Sequence, residues 1–312
     1  MGCRRGWKRG LRGGGFPRVR VVKGVRSASG NPPRIAERGK LTHAPRLVMV
    51  HLEKNAPMGL FMARHRLPSF IIGGAPRCAT TWLCVLADRH PEIAMAKPMR
   101  PEPKFFLVDE LYRQGIAYYA TRWFADLPDA RLLGEKSTNY LESPVAAERI
   151  HAALPQVKLV FMLRNPVDRA WSNYRWSRQN GLEEMGFAEA LACEESRERS
   201  LPRELKYARP FAYFSRGVYG ELLTPYFRLF PRKQILTLRY EDGVADPAGL
   251  AVMLHRFLEV EPRPSDAAEL GPVNSAQTHD VLDERTRHEL GERYAEPNRR
   301  LAALLGPEFS AW

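Results

Sequence analysis

The sequence lacks the cysteine pattern of a disulfide scaffold or of a zinc site. Its 312 residues include four cysteines, Cys3, Cys78, Cys84 and Cys193, and these form no C-x-x-C pair and no His/Cys cluster with zinc spacing. So few thiols in a chain of this length are typical of reduced cysteines in an intracellular protein. This composition predicts a cytoplasmic protein that binds no metal.

Long apolar runs are absent as well. The longest candidate, Leu47 to Ala63, is interrupted by charged residues and by a proline. A membrane-spanning helix needs about 20 predominantly apolar residues, so we predict no transmembrane segment. The N-terminus carries positive charge without an apolar stretch behind it, which excludes a secretory signal.

Outside the N-terminal region there is little excess charge of either sign. The formal net charge is +13, and residues 1–66 alone contain 16 Lys or Arg against 2 Asp or Glu. The positive field that would attract nucleic acid is therefore confined to this region. RNA or membrane binding through it is one alternative function. That function needs interleaved aromatic or amphipathic residues, and only Trp7 and Phe16 are present.

The same 66 residues are rich in Arg, Gly and Pro and show no sustained apolar periodicity. Such a composition predicts a disordered tail, followed by one domain from residue 67 to residue 312. An Arg-rich, acid-poor leader also suits an organelle-targeting segment, although serines are few. The presence of residues 1–66 in the mature protein therefore stays open.

Strands and helices alternate along the remaining residues. The predicted strands are 69–74, 157–163 and 234–239, and the predicted helices are 79–89, 165–180, 219–230, one that begins at Asp246-Pro247, and one or two within 282–305. Asn165-Pro166 is an N-cap followed by proline at the first helical position. Since this alternation is typical of a parallel sheet covered on both faces, the predicted fold class is α/β. We expect a single domain with a P-loop-like parallel sheet flanked by helices.

The loop after the first predicted strand has the features of an anion site. Its sequence is Gly73-Gly-Ala-Pro-Arg-Cys-Ala-Thr-Thr81. Backbone N–H groups at the positive end of the following helix would face an anion, and Arg77, Thr80 and Thr81 add a charge and hydroxyl donors. The alternative is an ordinary turn with a capping threonine. A Walker A lysine is missing, which disfavours a nucleoside or nucleotide kinase of the P-loop type.

A second anion-binding segment follows the strand at 157–163. Arg164 stands at the carboxyl end of this strand, where open α/β sheets bind ligands, and Ser172 lies two helical turns further on. Together they could bind a second phosphate. Asp168 and Arg169 are expected to be structural, as dipole and surface charges. Two anion loops on two βα units suit a nucleotide with phosphates at both ends.

The two loops together resemble the 5′-phosphosulfate loop and the 3′-phosphate motif of sulfotransferases that use 3′-phosphoadenosine 5′-phosphosulfate (PAPS). The resemblance is closest to the branch that modifies glycans such as heparan sulfate, and it extends from about Phe70 to Trp312. The other segments that carry it, in the family's order, are Glu102-Pro-Lys-Phe-Phe106, Glu135-Lys-Ser-Thr-Asn-Tyr140, Tyr219 through Leu236, and Tyr294 through Trp312.

The resemblance implies a sulfotransferase that moves a sulfuryl group from PAPS to a hydroxyl or amine acceptor and releases 3′,5′-ADP. Glu102 would be the catalytic base, Lys136 would lie beside the acceptor and the transferring group, and Arg77 would stabilise the leaving phosphate. The implied nucleotide-binding residues are Pro76, Arg77, Cys78, Ala79, Thr80 and Thr81 for the 5′-phosphosulfate, and Arg164 and Ser172 for the 3′-phosphate. Positioning and charge stabilisation dominate such a transfer, so no metal is required.

The implied partners are a small-molecule or glycan acceptor and no specific nucleic acid. The acceptor itself stays open between a saccharide, a lipid, a peptide and a small alcohol, and the oligomeric state is also open. For Glu102, the competing interpretation is an exposed glutamate in a proline-rich loop. We expect Glu135 to be a structural ion-pair partner, and the Glu194–Arg203 run to form a solvated helix face.

Three departures from the family pattern bear on the site. Ala79 occupies a position that is commonly Gly, so we expect the loop to do without a positive φ there. Lys104 replaces the usual His or Gln near the base, which is expected to alter acceptor choice. Gly271–Ser275 stands where animal relatives have a Cys-flanked loop over the adenosine, so no adenosine contacts are assigned.

Overall fold

Five parallel strands form one sheet, in the order β2-β3-β1-β4-β5. The strands are β1 (Phe70–Gly74), β2 (Ile93–Met95), β3 (Leu132–Lys136), β4 (Lys158–Leu163) and β5 (Ile235–Arg239). The computed structural model describes residues 66–268, 270, 281–310 and 312, so the predicted tail before Arg66 and the Gly271–Ser275 segment lie outside the described residues. Strand β1 is fully buried, as expected for a sheet covered on both faces.

Helices connect the strands, and the predicted α/β class is confirmed. They are α1 (Thr80–Arg89), α2 (Asp109–Tyr112), α3 (Gly115–Phe124), α4 (Pro144–Ala153), α5 (Pro166–Gln179), α6 (Phe187–Ala192), α7 (Glu194–Arg199), α8 (Tyr219–Leu229), α9 (Tyr240–Ala245), α10 (Pro247–Leu258), α11 (Ser265–Ala268) and α12 (Glu284–Leu305). The closing segment, predicted as one or two helices, is the single helix α12. Strands β2 and β3 were not predicted.

Local capping explains where the functional helices begin. The Asn165 side chain accepts hydrogen bonds from the N–H groups of Val167 and Asp168, and Pro166 is the first residue of α5. Asp246 caps α10 in the same way, through the N–H of Gly249. Each cap satisfies backbone donors that the first helical turn leaves unpaired.

The sheet order places three loops at one edge. Strand β1 lies between β3 and β4, so the segments that follow these strands leave the sheet side by side. The Ala75 N–H donates to the Met162 carbonyl, and the Ser137 N–H donates to the Ile72 carbonyl. The carboxyl ends of the strands thus form the crevice where open α/β sheets bind ligands.

Candidate active site

The loop between β1 and α1 contains two residues in the left-handed region. Arg77 has φ 71° and Ala79 has φ 56°, so the expectation that Ala79 would avoid positive φ is wrong. Ala79 is the N-cap of α1 and Thr80 is its first residue, which excludes the alternative of a capping threonine. No side chain caps α1, and no acidic residue lies in its first turn. The positive end of α1 is therefore free of a neutralising group from its own sequence.

The structure brings the two predicted anion segments into direct contact. Arg77 Nε donates a hydrogen bond to Ser172 Oγ at 3.2 Å, between the β1–α1 loop and the buried face of α5. Burial, and after it the nearby guanidinium groups of Arg164, Arg169 and Arg175, lower the pKa of Arg77 to about 10. Four guanidinium groups thus lie close together, a charge arrangement that suits a multiply charged anion.

Arg164 occupies the carboxyl end of β4, as predicted. Its guanidinium carbon lies 4.6 Å from the ring centroid of Tyr240, and its carbonyl accepts a hydrogen bond from Tyr219 at 2.9 Å. Among the described residues, its buried Nε has no hydrogen-bond partner. A buried, unpaired donor costs free energy unless a ligand satisfies it, so this atom fits a phosphate oxygen.

Glu102 is held in place by the segment that follows β3. Lys136 Nζ lies 2.6 Å from Glu102 Oε1, while the Thr138 N–H and Oγ1 both donate to Glu102 Oε2 at 3.1 Å. The side chains of Glu102 and Lys136 are 15% and 5% exposed. The interpretation of Glu102 as an exposed loop residue is therefore wrong, because its carboxylate is fixed within the crevice.

Lys104 lies in the same segment as Glu102. It has φ 50°, and its backbone N–H donates to Ser137 Oγ at 2.8 Å. Burial lowers the pKa of the Lys104 ammonium, while the nearby charge of Glu102 raises it. In the part of the chain that the structure describes, this ammonium has no ion-pair partner, so it remains available to a ligand.

Several polar side chains differ from their expected roles. Arg169 is fully buried and donates to the Tyr213 carbonyl, so it is not a surface charge; Asp168 pairs with Arg287 at 3.0 Å. Glu194, expected on a solvated helix face, is buried and accepts hydrogen bonds from two backbone N–H groups. These side chains make tertiary contacts that local sequence does not reveal, although Nε and Nη1 of Arg169 have no hydrogen-bond partner among the described residues.

Glu135 is not the expected ion-pair partner. Its fully buried carboxylate accepts hydrogen bonds from three hydroxyls, those of Tyr119, Ser137 and Tyr140. Burial raises the pKa of this carboxyl to about 7, and the three hydrogen bonds partly offset that effect.

Two residues of the site were missed by sequence reasoning. Thr138 contacts the base candidate, and it belongs to the Glu135–Tyr140 segment that had already been singled out. Tyr240 follows β5 directly, so the rule that selected Arg164, a position at the carboxyl end of a parallel strand, would also have selected Tyr240.

Among the described residues, the cysteines and the potential metal ligands form no second candidate site. Cys78 and Cys84 are free and buried, Cys193 is also buried, and burial raises the pKa of Cys78 to about 11, so its thiol stays protonated at neutral pH. Within the described ranges, no group of three or more His, Cys, Asp or Glu side chains could hold a metal ion. No helix in those ranges is long and apolar enough to cross a membrane.

The fold and the two joined anion segments define an α/β protein with a candidate site for a multiply charged anion. A family model described as "Sulfotransferase family" matches residues 107–264, half of the chain, and the chain therefore belongs to the sulfotransferase family. The matched residues include Lys136, Arg164 and Ser172, whereas Arg77 and Glu102 lie before them.

Individual relatives agree with this assignment. Human heparan sulfate glucosamine 3-O-sulfotransferase 6 is 31% identical over 65% of this chain and 55% of its own length. The membrane-associated sulfotransferase kil1 of Dictyostelium discoideum is 23% identical over 78% of this chain and 66% of its own. The chain thus spans about half to two thirds of the length of these relatives. A sulfotransferase structure from Alicyclobacillus acidocaldarius is 29% identical, with a TM-score of 0.63, over 77% of this chain and 96% of that one.

Proposed function

We propose that this protein transfers a sulfuryl group from PAPS to a hydroxyl or amine acceptor and releases 3′,5′-ADP. The observation that carries the proposal is the contact between Arg77 and Ser172, which unites two anion-binding segments on two βα units. A nucleotide with phosphate groups at both ends needs such a pair of sites, whereas ATP does not. The Glu102–Lys136 pair lies at the carboxyl end of the neighbouring strand β3, whose last residue is Lys136.

In this proposal the positive end of α1 holds the 5′-phosphosulfate. Backbone N–H groups of residues 77–79, together with Thr80 and Thr81, would donate to its oxygens, and Arg77 would neutralise the leaving phosphate. Arg164 and Ser172 would hold the 3′-phosphate. The uncapped N-terminus of α1 and the unpaired Arg164 Nε support this division.

Glu102 is proposed as the base that takes the proton from the acceptor. PAPS, when bound, supplies a sulfuryl group activated by a phosphate leaving group. Lys136 and Thr138 fix the direction of the Glu102 carboxylate, which matters because a base must lie within hydrogen-bond reach of the proton it removes. Once Glu102 is protonated its attraction to Lys136 weakens, and the ammonium can then neutralise charge that develops on the transferring group.

We further propose a glycan acceptor. Support comes from relatives that are named for heparan sulfate: the 3-O-sulfotransferase, and the bifunctional N-deacetylase/N-sulfotransferase of Drosophila melanogaster, which is 27% identical over 63% of this chain. Together their names include both oxygen and nitrogen acceptors. A screen of saccharide, lipid, peptide and small-alcohol acceptors with isotopically labelled PAPS tests this choice, and label confined to non-saccharides would contradict it.

The nucleotide preference is the direct test of the proposed activity. Thermal-shift titrations without magnesium should show stronger stabilisation by 3′,5′-ADP than by ADP or ATP. Arg164→Ala should weaken 3′,5′-ADP binding by about tenfold or more, because a charge-assisted hydrogen bond is worth roughly 1.5–3 kcal/mol. Equal responses to the three nucleotides, or a strict magnesium requirement, would instead favour the kinase alternative.

A cytoplasmic location is also proposed, on the support of the free, buried thiols of Cys78 and Cys84. One relative is named as membrane-associated, so the proposal needs its own test. Fractionation of cells that express the full chain should recover it with the cytosol, and recovery with membranes would contradict the location without affecting the proposed chemistry.

A further inference from the structure

The buried carboxylate of Glu135 is not assigned a role by the proposed reaction. It lies on β3 next to Lys136, yet it is fully buried and has no cationic partner among the described residues. Ser137 Oγ donates to Glu135 Oε1 at 2.6 Å, Tyr140 OH donates to the same oxygen at 2.8 Å, and Tyr119 OH donates to Oε2. A buried carboxylate is costly, so its retention needs a reason.

Two of these hydroxyls also contact the segment that carries the base. Ser137 Oγ accepts a hydrogen bond from the Lys104 N–H at 2.8 Å, and Tyr140 OH accepts one from the Phe106 N–H at 3.2 Å. A hydroxyl has one proton and two lone pairs. Because the Ser137 and Tyr140 hydroxyls each donate their proton to Glu135, the oxygen of each hydroxyl is left to accept a hydrogen bond from a backbone N–H.

Alternate residues of the segment 135–138 therefore contact different parts of the loop that carries Glu102. Lys136 and Thr138 bind the Glu102 carboxylate itself, whereas Glu135 and Ser137 secure the backbone two residues further on. That backbone needs an anchor, because Lys104 has a positive φ, which is unfavourable for a non-glycine residue.

We propose that Glu135 is a positioning residue for Glu102: by accepting the hydroxyl protons of Ser137 and Tyr140, it keeps both oxygens as acceptors for the segment that carries the base. This inference rests on the proposed function, in which Glu102 removes the proton from the acceptor. Glu135 itself touches neither Glu102 nor, in this proposal, any reacting atom.

The first experiment compares two substitutions at Glu135. Glu135→Gln retains an oxygen that can accept both hydroxyl protons, so kcat should stay within about threefold of the wild type. Glu135→Met removes the acceptor, and kcat should fall by about tenfold to 10²-fold, since a misplacement of about 1 Å can cost 10²-fold. The Kd for 3′,5′-ADP, measured by calorimetry, should not change, because the nucleotide segments lie on β1 and β4. Equal kcat losses in both variants would overturn the proposal.

Tyr119→Phe is the matched control. It removes a buried hydroxyl from Glu135 but no contact with the base segment, and its ring still packs against Phe105. Its kcat should remain near the wild-type value. If Tyr119→Phe lowered kcat as much as Glu135→Met, the loss of kcat would reflect general disruption of the buried core. The positioning role of Glu135 would then be wrong.

A double substitution keeps the inference testable if Glu135→Met fails to fold. Ser137→Ala should lower kcat by about tenfold in the wild type and by no further factor in Glu102→Gln, because a residue that acts through the base has no effect once the base is gone. An equal loss in both backgrounds would overturn the positioning role. Near-normal turnover of Glu102→Gln alone would instead contradict the proposed base, so the two failures are distinguishable.

Discussion

At the scale of single residues, Glu102 is the group on which the proposed chemistry most depends. Glu102→Gln keeps the shape of the side chain and its contact with Lys136 but removes the proton acceptor. Turnover should fall by about 10²–10⁴-fold, the usual contribution of a general base. Affinity for 3′,5′-ADP should hardly change, because the base faces the acceptor.

Single-turnover kinetics with labelled PAPS, together with a nucleotide titration of the same sample, measure both quantities. A variant that lost nucleotide affinity would indicate misfolding or a wrong assignment. Near-normal turnover would end the role of Glu102, and Glu135 would not replace it, since its carboxylate is fully buried beneath the loop.

A second consequence at this scale concerns pH. Burial raises the pKa of Glu135 from 4.5 to about 7, so folding favours its protonated form. Its contribution to the free energy of unfolding is fully present below the unfolded pKa and is lost as the pH rises through the folded pKa. The advantage of the wild type over Glu135→Gln should therefore shrink by about 3 kcal/mol between about pH 5 and pH 8. Urea unfolding of both proteins across this range measures the difference, and a constant difference would contradict the raised pKa.

At the scale of elements, apolar runs predicted β1, β4 and β5 but neither the three-residue strand β2 nor β3. The sequence of β3, Leu132-Leu-Gly-Glu-Lys136, includes a glycine and two charged residues. Those charges are buried because Glu102 and Tyr119, 34 and 16 residues away, contact them together with the nearby Tyr140. Local patterns cannot encode such partners, so β3 and the role of Glu135 could not be predicted.

The anion segments were easier to predict, because strand ends and helix starts have local signatures. Arg77 and Ser172, chosen from their positions after buried strands, are in contact, and Arg164 follows the last residue of β4. Their role in anion binding stays a prediction. The backbone of Ala79 was not predicted correctly, because its left-handed conformation is imposed by the surrounding fold rather than by its own preference.

The cap of α5 gives a prediction for this element. Asn165→Ala removes the acceptor for two N–H groups and should lower the free energy of unfolding by about 1 kcal/mol. Because α5 carries Ser172, affinity for 3′,5′-ADP should also fall. Asp246→Ala, which removes the cap of α10, is the matched control: denaturant titration should show a similar loss of stability without a change in affinity. Equal effects on affinity would show that α5 has no special role in binding.

At the scale of the whole molecule, the tail should be dispensable for catalysis. It holds the entire charge excess, while the remaining residues are nearly neutral. A variant that begins at Arg66 should keep its turnover and nucleotide affinity. Arg66 must be retained, because its guanidinium donates at 2.6 Å to the carbonyls of both Leu127 and Pro128.

A second variant that begins at Leu67 tests this boundary. Thermal unfolding should show a lower Tm for it than for the variant that begins at Arg66, since two charge-assisted hydrogen bonds are lost. If the variant that begins at Arg66 lost nucleotide binding, residues before it would have to belong to the site, and the proposed domain boundary would be wrong.

The four guanidinium groups around Arg77 have a consequence for how the protein is handled at the bench. Repulsion of Arg77 by Arg164, Arg169 and Arg175 opposes folding when no anion is bound. Any anion that binds only the folded state offsets this repulsion by mass action. The stability of the protein therefore depends on whether the buffer contains sulfate or phosphate or only chloride. Tm values are comparable between preparations only when their anions are the same.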